Sequence, residues 1–216
     1  WESTKPGMTA ALPAVNHQDL EILDASGCSV IPGFVDSHTH FVFGGYRPEE
    51  FFWRLRGTPY LEILERGGGI LNTVRQTRQA EYAELAQAAA KRLDAMLAMG
   101  VTTVEGKSGY GLDLATELRQ IQGMGMLNQE HDMDVVPTFM GAHAVPPEFT
   151  GRTDGYVDFL IKTVLPVVVN QGIAEFCDVF CEKGIFSLEQ TRRILQAAQA
   201  LGLKPKLHAD EIVAFG

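Results

Sequence analysis

The sequence predicts a parallel α/β fold, read as the first five units of a (β/α)8 barrel. Three observations carry this. Strand-like runs alternate with helix-like runs along the chain. His38/His40, Lys107, His143, Glu182 and His208 each fall at or just after the end of a different strand. Barrel strands point their C-terminal ends at one shared mouth, whereas a doubly wound sheet gathers polar residues near its switch point. The alternation alone fits both architectures, so the strand-end residues tip the reading to a barrel. From residue 29 to the end there are about 188 residues, against ~250 for a typical full barrel. The chain is therefore expected to be the first part of one.

Each element has its own signature. Residues 1–28 are expected to be the remnant of a small N-terminal β domain, and 29–216 the incomplete barrel. Residues 29–37 read as a buried strand running into "DSHTH". The segment 46–80 is long and aromatic and carries the glycine run "RGGGI". Residues 81–99 are helical, with Leu85, Ala89, Leu93, Met96 and Leu97 on one stripe and Gly100 as the stop. "VTTVEGKS" (101–108) is a β-branched strand. A helix over 113–130 starts at Asp113 as N-cap and turns Leu114, Leu118 and Ile121 inward. "DVVPTFMGAH" (134–143) is a third strand, and 153–171 a third helix bent at Pro166. "AEFCDVFCE" (174–182) is a fourth strand. Ser187 and Gln190 form a capping box for the helix to Leu201, closed by Gly202. "KPKLHADE" (204–211) is the fifth strand.

Composition removes several functions. The net charge is −9, from 18 Lys+Arg against 27 Asp+Glu. With no basic run, a nucleic-acid phosphate footprint is not expected. No apolar run is long enough for a transmembrane helix, so no membrane partner is expected. The N-terminal residues lack the apolar centre of a signal peptide, and the chain does not open on Met. Cys28, Cys177 and Cys181 make an odd count that suggests no disulfide framework and fits a reducing compartment. Cys177 and Cys181 would share a strand face, ~13 Å apart, too far for a disulfide. Both are expected to be buried and structural.

The chemistry begins with His38 and His40. On a strand, residues i and i+2 face the same way. Two imidazoles on one face, on a rigid element, suit a mononuclear metal with an open position for water. His208 can supply a third. Lys107 ends the second strand, so it is read as a structural neighbour of the site. His17 and His131 fall away from strand ends and are expected at the surface. The "GGG" at 67–69 lacks the strand-to-helix setting of a phosphate loop and reads as a turn near the active site.

"IPGFVDSHTH" resembles the first-strand signature of the amidohydrolase superfamily. "HTHFVFGGYR", "EGKSGYG", "FMGAHAVP" and "HADE", in that order from about Gly33 to Gly216, resemble its imidazolonepropionase family. That resemblance implies an amidohydrolase-type barrel following a β-sandwich element, and one divalent or trivalent metal, zinc or iron. His38, His40 and His208 would be metal ligands. Glu211 and His143 would be catalytic. Arg47, Tyr110, His143 and Glu211 would bind substrate, with Arg47 clamping a carboxylate as a planar fork. The implied reaction is hydrolysis of the cyclic amide of 4-imidazolone-5-propanoate to N-formimidoyl-L-glutamate. A cytoplasmic homodimer is implied for the full-length protein. The pattern also requires a histidine on a sixth strand and an aspartate on an eighth, and neither lies in these 216 residues. The chain alone is therefore expected to be inactive, with exposed edges at its first and fifth strands. Two rivals stand beside this reading. One is a deaminase of a nucleobase-like ring, which "HADE" suits equally but Arg47 disfavours. The other is an inactive binding or structural module, which metal content distinguishes.

Overall fold

The structure is a computed structural model that describes residues 24–59, 62–63, 66–211 and 213–215. Backbone contacts divide the chain into two compact units, 1–32 and 33–216. Of the first unit only 24–32 is described, a turn and an irregular exposed stretch. His17 and most of the expected N-terminal β remnant lie outside the described residues.

The second unit holds five parallel strands: β1 (Phe34–Thr39), β2 (Val101–Lys107), β3 (Asp134–Ala142), β4 (Phe176–Cys181) and β5 (Lys204–Ala209). They pair in the order β1-β2-β3-β4-β5. Strictly sequential order is what successive right-handed βα units produce in a barrel. The sheet also curls. In a flat sheet β1 and β5 would stand roughly 19 Å apart, at ~4.8 Å per strand. Instead, His38 after the middle of β1 touches His208 of β5, Nε2 to Nε2 at 2.8 Å. Among the described residues β1 and β5 each pair on one side only.

Helices follow the strands. They are α1 (Pro48–Leu55), α2 (Ile70–Gln79), α3 (Tyr82–Ala98), α4 (Leu114–Glu130), α5 (Thr153–Phe159), α6 (Leu165–Gln171) and α7 (Leu188–Ala200). Asp113 caps α4, its carboxylate accepting the Thr116 N–H at 2.7 Å. Ser187 and Gln190 form the expected reciprocal box on α7. Gly100 and Gly202 take positive φ, 89° and 97°, as helix-ending glycines do. The irregularity of the third helix begins before Pro166: α5 passes through a wide π turn, Leu160–Val164, into α6. The proline has no N–H for the carbonyl one turn back, and the widened turn absorbs that break.

Two apolar clusters sit between sheet and helices. Val104 and Val135 pack with Leu85, Ala89, Leu93 and Met124 of α3 and α4. Cys177 and Val179 pack with Ile121, Val157, Val164 and Ile194. Strand alternation sets this. With Cys177 and Val179 facing the helices, Asp178 and Phe180 must face the barrel interior. Cys177 and Cys181 are buried and free, as expected, and burial pushes the Cys177 thiol up.

The first strand departs from expectation. It starts at Phe34 and ends at Thr39, so His40 lies one residue past it. Pro32 lacks the N–H a ladder needs, and the first ladder bond is the Phe34 N–H to Gly100 O. The strand is not buried either: Phe34 and Val35 are 54% and 67% exposed.

Candidate metal centre

His38, His40 and His208 converge, each offering a ligand nitrogen within 4.8 Å of the others. The sheet's curl achieves this, because two come from the start of the unit and one from its fifth strand. Neighbouring acceptors determine which nitrogen is free. His40 Nδ1 lies 2.9 Å from the Ser108 carbonyl. A carbonyl only accepts, so Nδ1 carries the hydrogen and Nε2 keeps its lone pair. His208 Nδ1 likewise donates to Asp178 Oδ2 at 2.8 Å. His38 and His208 then share a hydrogen between their Nε2 atoms, and a metal would take its place. Burial first, then the neighbouring histidines, holds His40 well below the usual imidazole pKa, and the same two causes lower His38. Three converging imidazoles, two of them with the outward nitrogen anchored, are a donor set for a borderline metal ion.

His143 stacks on His40, ring centroids 4.5 Å apart at 11°. Its Nδ1 faces the Gly109 carbonyl at 3.1 Å. Burial pulls its pKa down to about 4, so it is neutral at pH 7 and its Nε2 is an acceptor. Stabilising a developing oxyanion would require a donor, so this geometry fits His143 to a substrate N–H instead. Tyr110 lies between these rings and a small cavity. Its ring is 5.1 Å from His40 and 5.3 Å from His143. On its other side a cavity of about 140 Å³ is lined by Tyr110, Phe43, Tyr46, Arg47 and Thr73.

Arg47 precedes α1 and donates to Glu50 at 3.2 Å. Glu50 is buried and also accepts the Gly69 N–H and the Asn72 amide, at 2.9 and 3.0 Å. The glycine run therefore serves to open α2: Gly69 has φ 77°, and a Cβ on Gly68 would stand 2.8 Å from Ile63. Glu211 is exposed. It lines a cavity of about 500 Å³ with His38, His208 and Asp178, and another of about 750 Å³ with His143 and Phe180. Glu182 is buried after β4, accepting the Lys183 N–H. His131 is more enclosed than expected: it ends α4, accepts the Met133 N–H and meets Asp94 at 3.3 Å.

Beneath the histidines Lys107 is the structural neighbour expected, but its partners Glu105, Asp178 and Lys206 were not foreseen. Lys107 Nζ bridges Glu105 and Asp178 at 2.7 and 2.8 Å, and Lys206 reaches Glu105 at 2.8 Å. Two cations and two anions thus neutralise one another, three of them buried and Lys206 half-buried. Burial raises the Asp178 and Glu105 carboxyls, but their hydrogen bonds outweigh it and both end below the ordinary carboxylate range. For Asp178 these come from His208 and Lys107, for Glu105 from Lys107, Lys206 and Thr138. Among the described residues, the buried Asp178 Oδ1 has no hydrogen-bond partner. The available signal was a charge inside an otherwise apolar strand, as in "FCDVFC".

A parallel half-barrel with a histidine cluster at the C-terminal ends of its strands is thus the class that fold and site define. No family model matches the chain. It is 58% identical over 205 residues to the imidazolonepropionase of Clostridium tetani, covering 95% of this chain and 49% of that protein. Against the imidazolonepropionase of Parabacteroides distasonis it is 59% identical over 202 residues, covering 94% and 49%. The chain is a relative of imidazolonepropionases and spans about half their length. Among solved structures, a 5-methylcytosine deaminase from Klebsiella pneumoniae, liganded with phosphonocytosine, superposes with a TM-score of 0.58 at 16% identity. That match covers 84% of this chain and 40% of that one; at such identity it supports the fold alone.

Proposed function

We propose that the chain carries the first five strands of a metal-dependent hydrolase that opens the ring amide of 4-imidazolone-5-propanoate, giving N-formimidoyl-L-glutamate. The convergence of three imidazoles, with the outward nitrogens of His40 and His208 anchored, supports this most directly, and the similarity to imidazolonepropionases supplies the substrate. His38, His40 and His208 would hold one zinc or iron ion, whose chemistry is Lewis acidity and activation of water near neutral pH.

The chain's own groups do the rest. Arg47 binds the propionate, its guanidinium exchanging Glu50 for the substrate carboxylate or holding both. Tyr110 separates the Arg47 cavity from the histidines, so it sets how far the acid tail lies from the ring. His143 Nε2 accepts a ring N–H. Glu211, free of the buried network, moves a proton to the departing ring nitrogen. The holoenzyme is cytoplasmic, homodimeric and binds neither nucleic acid nor membrane; no helix among the described residues is long and apolar enough to cross one.

The test uses the complete reading frame that encodes this chain. Purified protein should contain near-stoichiometric zinc or iron, behave as a dimer in sedimentation and consume imidazolone propionate. Cytosine and guanine are the comparison substrates. Deamination of either at a greater kcat/KM, or no bound metal with no turnover, would overturn the reading.

A further inference from the structure

We infer that Glu117 is a positioning residue for the site, moulding the 108–112 loop whose carbonyls set the tautomers of His40 and His143. The loop joins β2 to α4. Glu117 sits in the first turn of α4, fully buried. Its Oε2 accepts the Gly109 N–H at 3.1 Å, and its Oε1 accepts those of Gly111 and Leu112 at 2.9 and 2.8 Å. Ser108 adds its hydroxyl, which is free to donate because its oxygen accepts the Met140 N–H at 2.9 Å. Four donors thus converge on one carboxylate, an anion nest filled by the chain itself.

The carboxylate holds a shape the loop would not otherwise keep. Leu112 has φ 55°, in the left-handed region that residues with a side chain adopt rarely. Gly109 has φ 104°, and a Cβ there would stand 2.6 Å from Met140 O and 2.8 Å from His143 Cβ. The loop is therefore pressed against β3 with no slack. One turn along the same helix, Gln120 accepts the Tyr110 N–H at 3.3 Å. From this clamped loop come three outputs. Ser108 O takes the His40 Nδ1–H, Gly109 O takes the His143 Nδ1–H, and Tyr110 lies against both rings. Side chains from two other strands thus depend on one buried acid that touches neither substrate nor metal.

The experiment reads the tautomers directly. Long-range ¹H–¹⁵N spectra of the metal-free full-length protein should show His40 and His143 locked with hydrogen on Nδ1. E117Q turns an NH2 group on N–H donors. Both rings should then lose the Nδ1–H signature, and metal affinity should fall roughly tenfold. E117D should restore part of each effect. E117Q that melts at lower temperature but keeps both Nδ1–H signatures would show a merely structural acid and overturn the inference. If E117Q does not fold, amide exchange of the wild type decides. The Gly109, Gly111 and Leu112 amides should exchange as slowly as those of β2, and exchange at the rate of an open loop overturns the proposal. The kinetic consequence, a drop in kcat/KM on imidazolone propionate, rests on the hydrolase reading, but the tautomers do not. Shifted tautomers in an enzyme with no such activity would sink that reading and leave this inference standing; an active enzyme with unmoved tautomers would do the reverse.

Discussion

The central and edge strands of this sheet are built differently. β2 and β3 are buried along their C-terminal halves and β4 along most of its length, whereas β1 is exposed over most of its length, β5 over half, and neither has a buried residue. The proposed metal ligands lie on or just past the exposed strands, and the groups that hold them lie on or just past the buried ones. Ser108 and Asp178 orient His40 and His208. The Thr39 hydroxyl donates to Glu105 O at 2.7 Å, pinning the end of β1 to β2. A ligand on an edge strand can thus be placed accurately when its outer nitrogen is tied to a packed centre. Second contacts, rather than the strands that carry the ligands, would then govern the precision of the site.

The first way to break that comparison is on the edge. His208→Ala in the full-length protein removes the ligand from β5 and leaves Asp178 facing Lys107 alone. Bound metal, measured by elemental analysis after dialysis, should fall below a tenth of wild type, with turnover following. Retention of stoichiometric metal would mean that the ion sits elsewhere. Next comes the centre. Asp178→Asn keeps the shape of β4 but no longer holds the His208 Nδ1–H with a charge. Metal affinity should drop ~10–100-fold in a chelator competition, while the melting temperature of the metal-free protein changes less. An unchanged affinity would make Asp178 a packing residue only.

Acid should test the buried imidazoles of both regions. In the unfolded chain a histidine takes a proton near pH 6.5, while folded His143 resists until about 4. Between those values the unfolded state binds more protons, so stability rises with pH and is lost as pH falls. The His143 contribution, from 1.36 kcal/mol per unit, is on the order of 3 kcal/mol over that window. Metal-free melts from pH 7 to 4 should show the fall, and His143→Gln should flatten it. The smallest effect lies away from the site. Ser187→Ala removes the α7 cap and should cost ~1 kcal/mol, a few degrees of melting temperature, without moving metal affinity. A change in affinity from that variant would blur the separation between scaffold and site.

Much of this was legible in one dimension because the signals are local. The caps at Asp113 and Ser187, the stops at Gly100 and Gly202 and the order of the strands follow from hydrogen bonds and periodicities spanning a few residues. His38 and His40 could be nominated because they stand two residues apart, and His208 because a strand ends there. Glu105, Asp178, Lys206 and Glu117 went unnoticed because each looks like an ordinary charge among apolar neighbours.

The sequence by itself therefore determined the alternation of strands and helices, the faces the helices bury and the residue types at strand ends. Only the tertiary structure decided that β1 and β5 curl close enough for His38 to touch His208, across 170 residues of chain. It also decided which imidazole nitrogens are free and how two buried anions are neutralised by the buried Lys107 and the half-buried Lys206. Those outcomes depend on carbonyls and carboxylates brought in from distant strands, and a linear pattern of side chains does not encode their directions.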